Sequence, residues 1–286
     1  MVNVKMIRNI ATDLDGTLFY PKRKIKLLTS KNTKFLRSFV ADKKNYLILV
    51  SGRNITLFKR ISKKVKCEDM AMIGCNGSVI YRGDKMLHED PIPKENVRII
   101  YDRLKNDKNV KGVIFMTNKK RMTVTPNNIN YFVTIVARFA MMLQGVYREK
   151  YKYSEKYLER VLEDDEVRFY KVMPIYGFGK KAHELARLKC EEINKEFGET
   201  LEAHYSGITV EIMKKDVNKA NALKMLLNML ELEESETAVI GDSGNDIPMF
   251  DAFENSFCMR KAPKQVKSKA KHIVSGVYEI EKHLKN

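Results

Sequence analysis

The chain has 286 residues, 44% of them hydrophobic and 31% charged, and carries a net charge of +17. That is enough apolar material for one large or two modest cores, and it excludes a globally disordered chain. It also excludes a helical membrane span, because the most apolar stretch, 131–144, is short and interrupted by Arg138.

The N-terminus runs directly into a strand pattern instead of a cleavable leader, so a cytoplasmic protein is expected. Cys67, Cys75, Cys190 and Cys258 show no CxxC spacing, and the five histidines show no ligand spacing. Zinc and disulfide frameworks are therefore not expected. Lysine clusters recur along the chain, at 22–26, 43–44, 63–66, 119–120 and 180–181. No Arg-rich block or RNA-binding aromatic signature accompanies them. The expected partner is a small phosphorylated metabolite, with no nucleic acid and no membrane.

In chain order, 6–14 reads as a strand and 30–41 as a helix, with Phe35, Leu36, Phe39 and Val40 at helical spacing. The unbroken apolar run YLILV at 46–50 reads as a buried strand. A helix is predicted over 54–65, and short strands at 70–73 and 79–81 flank the turn signal Asn76-Gly77. This βαβαβ order predicts a parallel sheet covered by helices. Boundary-like residues follow, Gly83-Asp84 and Pro91-Ile92-Pro93.

The block from 82 to 204 carries strand signals at 113–116 and 122–125, joined across 118–120 as a hairpin. Helices are predicted at 131–143 and 155–162, a strand at 167–173, a helix at 181–197, and strands at 202–204 and 209–212. This mixed content predicts an independent inserted domain. The first rhythm then resumes with an amphipathic helix at 218–230, a strand at 237–240, a short helix at 247–252 and a strand at 256–259. A helix at 263–270 and a strand at 272–274 close the pattern. The expected fold is α/β: a Rossmann-like, doubly wound parallel-sheet core built from 1–82 and 205–286, with 83–204 as an inserted α/β domain.

Two predicted strands end in paired carboxylates, Asp13 and Asp15 in DLDGT (13–17), and Asp242 and Asp246 in GDSGND (241–246). Open α/β folds bind ligands at the carboxyl edge of their parallel sheet. Four carboxylates gathered there repel one another unless a cation sits among them. With no soft ligand nearby, the cation to expect is Mg²⁺, and the chemistry is phosphoryl transfer.

Asp13 is then a candidate nucleophile and Asp15 a candidate acid and base, although Asp-Gly is also a common surface turn. Ser51, Gly52 and Arg53 follow the YLILV strand and offer a hydroxyl and backbone N–H groups to phosphate oxygens; Ser51 would equally serve as a plain helix cap. Lys219 opens the 218–230 helix, where the macrodipole disfavours a cation. Charge compensation for Asp13 and a phosphoryl group gives a reason for it, with Lys214, Lys215 and Lys224 as competitors. Asp242 is placed to bind metal and Asn245 to donate to phosphate. Asp246 is placed to orient Lys219 or a metal-bound water, and helix capping is the alternative for Asn245 and Asp246.

DLDGT, SGR at 51–53, NG at 76–77, the lysine of DVNKANAL and GDSGNDIPMF at 241–250 occur in the order of the haloacid dehalogenase superfamily. The chain most resembles its Cof-type sugar-phosphatase branch, whose large α/β cap is inserted between the Ser and Lys motifs. The resemblance implies a phosphatase with Asp13 as nucleophile and Asp15 as acid/base. It implies that Ser51 and Lys219 hold the phosphoryl group, and that Asp13, the carbonyl of Asp15 and Asp242 bind Mg²⁺ with Asp246 in support. Two departures stand out: Ser243 replaces the commoner glycine of this motif, and the C-terminal SGVYEIEKHL is shorter than the usual tail.

The expected activity is hydrolysis of a small phosphomonoester, a sugar phosphate before a nucleotide, flavin mononucleotide or pyridoxal phosphate. The rivals are a phosphomutase on the same core and a catalytically silent nucleic-acid-binding or regulatory protein.

Overall fold

A computed structural model describes residues 6–19, 28–54, 58–119, 121–126 and 150–284. The chain divides into two compact units, one formed by Met1–Glu89 with Asn218–Asn286, the other by Asp90–Val217.

The first unit is an eight-stranded sheet. Its strands are β1 (Asn9–Thr12), β2 (Tyr46–Val50), β3 (Ala71–Gly74), β4 (Val79–Arg82), β5 (Lys85–Glu89), β12 (Thr237–Gly241), β13 (Asn255–Met259) and β14 (His272–Val274). They lie in the order β14-β13-β12-β1-β2-β3-β4-β5. The six strands from β14 to β3 run parallel, and β4 and β5 turn back antiparallel at one edge.

Alternation along β2 shows why its run is unbroken. Leu47 and Leu49 pack with helices α1 (Ser30–Phe39) and α2 (Phe58–Val65) on one face of the sheet. Ile48 and Val50 pack on the other face with α6 (Lys219–Met229), α7 (Ile247–Ala252) and α8 (Lys264–Lys267). A strand buried on both faces has no polar position to alternate with. The core is thus doubly wound, as expected. Strand order reverses between β12 and β1, which opens a crevice at their carboxyl ends.

The second unit is a six-stranded sheet made of β6 (Gly112–Thr117), β7 (Arg121–Pro126), β8 (Lys150–Tyr153), β9 (Phe169–Ile175), β10 (Leu201–Ser206) and β11 (Thr209–Lys214). The order is β10-β11-β9-β6-β7-β8, antiparallel except between β7 and β8. Helices α3 (Lys94–Lys105), α4 (Glu155–Glu163) and α5 (Lys180–Phe197) supply Val97, Ile100, Leu158, Val161, Ala186 and Ile193 to its core.

Four sequence expectations are corrected. The Gly83-Asp84 pair, read as a domain boundary, instead turns the β4–β5 hairpin, whose strands remain in the first sheet. The joint at 82/83 therefore moves to 89/90. The return joint at 204/205 moves to 217/218, because β10 and β11 pair along their whole length within the second sheet. Helix α3 was not foreseen, although Val97, Ile100 and Leu104 stand at helical spacing. The strand expected over 6–14 is shorter, with β1 spanning Asn9–Thr12. The predicted helix at 131–143 lies outside the described residues.

Helix α6 begins at Asn218, whose side chain accepts a hydrogen bond from the Asn221 N–H at 2.9 Å. That bond satisfies one of the N–H groups a helix leaves open at its start. Asn218→Ala is expected to cost about 1 kcal/mol of stability in urea unfolding; an unchanged midpoint would show that the cap contributes nothing.

Candidate active site

Strand β1 pairs with β12 up to Thr12 opposite Ile240, and the Asp13 N–H continues the ladder to the Ile240 carbonyl at 2.9 Å. The chain then bends. Gly16 adopts φ +85°, and a Cβ there would stand 2.0 Å from Oδ2 of Asp242. Only glycine meets both demands, the left-handed backbone and the close approach of the second acidic loop. The Thr17 hydroxyl reaches Oδ1 of the same Asp242 at 3.4 Å.

Lys219 is the centre of the cluster. Its ammonium, 1% exposed, donates to Asp13 Oδ1 at 2.7 Å and to Asp246 Oδ1 at 2.6 Å. Burial works against the ammonium, but the two carboxylates outweigh it and hold Lys219 above the usual lysine range. One ammonium cannot neutralise three carboxylates, and the surplus charge shows on the other two. Burial pushes Asp13 well above the ordinary carboxylate range; Lys219 opposes that rise, while Asp246 and Asp242 add to it. Burial, with Asp246 nearby, raises Asp242 to about 6.

Asp13, Asp242 and Asp246 each offer an oxygen within 4.8 Å of the others. The donor set is all carboxylate, which suits a hard cation. Its members are not equivalent, however. Asp246 gives Oδ1 to Lys219, and its Oδ2 accepts from the N–H groups of Asp242 (2.9 Å) and Ser243 (3.0 Å). With both oxygens engaged, Asp246 braces the loop and Lys219. Asp13 and Asp242 are the carboxylates best placed to hold a metal.

The remaining predicted residues form two smaller groups. Asp15 is not in the cluster. Beyond Asp13 the chain turns outward, and the half-exposed Asp15 carboxylate is gripped by the Nε and Nη2 of Arg53. Ser51 is buried at the end of β2, with its hydroxyl accepting from the Arg53 N–H at 3.1 Å. Gly52 lies in the bend between them. Asn245 is fixed on both sides: its carbonyl accepts from the Ser243 hydroxyl at 2.7 Å and its amide donates to Asn76 Oδ1 at 3.2 Å.

A haloacid dehalogenase-like hydrolase family model matches residues 10–279. The chain belongs to this family. Among relatives of this haloacid dehalogenase-like hydrolase, phosphatase YwpJ of Bacillus subtilis is 25% identical over 300 residues, covering 96% of this chain and 99% of the relative. A solved haloacid dehalogenase-like hydrolase from B. subtilis superposes with a TM-score of 0.79 at 23% identity, covering 97% of this chain and 100% of that one. A solved subclass IIB sugar phosphatase gives a TM-score of 0.74 at 19% identity, covering 96% and 98%.

Sequence reasoning missed three contributors to the hydrolase's site. Thr17 stands inside DLDGT, where the sequence assigns a role only to the two aspartates, yet its hydroxyl reaches Asp242. Asn76 reads as a turn former and as part of the NG motif, with no role of its own; it does turn, with φ +60°, but its side chain also holds Asn245. Ser243 was noted only as a replacement for glycine, yet its hydroxyl fixes the Asn245 amide and its backbone N–H meets Asp246.

Asp242 binds its proton more tightly in the folded chain than a free carboxylate does. The folded state therefore takes up protons between about pH 4 and pH 6, and stability falls as pH rises through that window. A shift from 3.8 to about 6 amounts to about 3 kcal/mol at neutral pH. In chelator at pH 7, Asp242→Asn should raise the thermal midpoint, and the gain should shrink towards pH 4. A lower midpoint at pH 7 would contradict the charge-surplus account.

Proposed function

We propose that this hydrolase is a Mg²⁺-dependent phosphatase acting on a small phosphomonoester, with sugar phosphates the first substrates to test. The observation that carries the reading is the buried Asp13 carboxylate, held by Lys219 beside Asp242 at the carboxyl ends of β1 and β12. A carboxylate so placed is a nucleophile with its charge partner already in position. The phosphatase name of the Bacillus subtilis relative and the solved sugar phosphatase support the same chemistry.

In the proposed reaction Asp13 attacks phosphorus. The bond from phosphorus to the alcohol oxygen breaks, and that oxygen leaves with the electron pair and takes a proton from Asp15. Water then attacks the phosphorus of the aspartyl-phosphate, giving its proton to Asp15, and the bond to Asp13 breaks to release phosphate. Lys219 and the Asn245 amide offset charge on the phosphoryl oxygens. Ser51 shapes the turn that presents Arg53, and Arg53 holds Asp15 until substrate arrives. Asp13 and Asp242 would hold Mg²⁺, which when bound would supply neutralising charge to the phosphoryl group. The second unit, Asp90–Val217, serves as the cap that selects the leaving alcohol.

Phosphate release should be measured against sugar phosphates, nucleotides, flavin mononucleotide and pyridoxal phosphate, with Mg²⁺ and with chelator. Turnover is expected with Mg²⁺ alone, and full activity in chelator would sink the metal assignment. Asp13→Asn should lower turnover about a thousandfold or more with the fold retained. For Asp15→Asn the loss should be about a hundredfold or more on sugar phosphates and milder on p-nitrophenyl phosphate, whose leaving group needs little protonation. Equal losses on both substrates would remove Asp15 from the acid role.

A further inference from the structure

The positive charge of this chain is not evenly spread. Between residues 17 and 66 there are fifteen Lys or Arg and a single acid, Asp42, which gives that span +14 of the chain's +17. The other 236 residues share a net +3. A general lysine bias would spread the excess in proportion to length; here one-sixth of the chain holds most of it.

The fold gathers ten of these bases on one surface. Helices α1 and α2 lie side by side on the same face of the first sheet, joined by the Arg37 Nε bond to the Lys64 carbonyl at 2.9 Å. Their apolar residues Phe35, Leu36, Phe39, Phe58, Ile61 and Val65 point into the core. That leaves Lys31, Lys34, Arg37, Lys59, Arg60, Lys63 and Lys64 exposed on the helices, with Lys43, Lys44 and Lys66 exposed beside their ends. Among the described residues, the Lys59–Asp84 contact at 3.0 Å is the one ion pair that any of the ten makes. The proposed catalysis uses none of them.

We infer that the α1–α2 face is a docking surface for the phosphate backbone of double-stranded nucleic acid. Charge complementarity selects a polyanion. Helices of ten and eight residues, lying about 8–10 Å apart, present bases over roughly 15 Å by 20 Å. A duplex carries one charge per about 1.7 Å of its axis, so several phosphates fall within that reach. Among the described residues, the face has no exposed aromatic residue to stack on an unpaired base. Among the described residues it also has no exposed large apolar residue to enter a lipid bilayer, since none of those that are exposed lies on α1 or α2. What remains is backbone recognition without sequence preference, driven by counterion release.

The test is binding of a fluorescent 20-base-pair duplex to the full-length enzyme, read by anisotropy across a salt series. Affinity should be micromolar near 50 mM salt, with a log–log salt slope of about −4, as for four to five phosphates contacted. The double variant Lys34→Glu/Lys63→Glu should weaken binding about tenfold or more and flatten the slope by about two. Lys180→Glu/Lys181→Glu, equal in charge change but in the second unit, should leave it unaltered. The milder Lys34→Gln/Lys63→Gln pair guards against misfolding, and phosphate release from each variant reports on the active site separately. No duplex binding at 50 mM salt would overturn the inference. So would equal losses from both charge-reversal pairs, or tighter binding to phosphatidylserine vesicles than to duplex.

Discussion

Three carboxylates share one ammonium in a buried crevice, and much of the first unit can be read as the means of holding them there. Moving charge out of water is expensive unless each group finds partners. Lys219 finds two, Asp246 finds Lys219 and two backbone N–H groups, and Asp242 finds the Thr17 hydroxyl. Asp13 is left with one strong partner and a raised proton affinity. Neither Gly16 nor Gly241 has room for a side chain: Asp242 of the second acidic loop crowds Gly16, and within that second loop a Cβ on Gly241 would lie 2.3 Å from Asp246 Cγ. A stability-driven design would not leave such a charge surplus. Its persistence at the point where strand order reverses fits a site that waits for a cation and an anionic substrate.

The route to that point runs through the doubly wound sheet. β1 and β12 are neighbours in space but separated by more than two hundred residues, so the nucleophile and the second acidic loop meet only when the whole sheet has formed. α6 then brings Lys219 to the same edge from the far end of the second unit's segment. Its first turn accepts a cation against the helix macrodipole because Asp13 and Asp246 supply far stronger local charges.

Much of this was legible in the sequence wherever one residue type had a single physical use. YLILV could only be a strand buried on both faces, and DLDGT and GDSGND could hardly be accounted for by turn chemistry alone. The gathering of Asp13, Asp242 and Asp246 followed from those placements, while Lys219 stood out from Lys214, Lys215 and Lys224 only through the family resemblance. Legibility failed where a residue had two uses. Pro91 and Pro93 drew attention as breakers and hid the Val97, Ile100 and Leu104 stripe of α3, which starts directly after Pro93. Gly83-Asp84 serves a hairpin as readily as a linker. Asp15 looked like a fourth member of the acidic cluster, and only the turn at Gly16 and the reach of Arg53 show otherwise. The Ser243 hydroxyl acts inside its own turn, in a capping box with Asp246 whose spacing is local, whereas the side chain of Asn76 acts through a contact with Asn245 that joins distant loops, which no local pattern announces.

At the centre of the account is a phosphoryl group carried on Asp13, which can be trapped directly. The enzyme would be mixed with a ³²P-labelled sugar phosphate and Mg²⁺, quenched in acid within one turnover, digested and mapped by mass spectrometry. The account predicts label on the peptide holding residues 9–22, at Asp13 and sensitive to hydroxylamine. Steady release of phosphate with no labelled carboxylate, or with label on any residue other than Asp13, would contradict it.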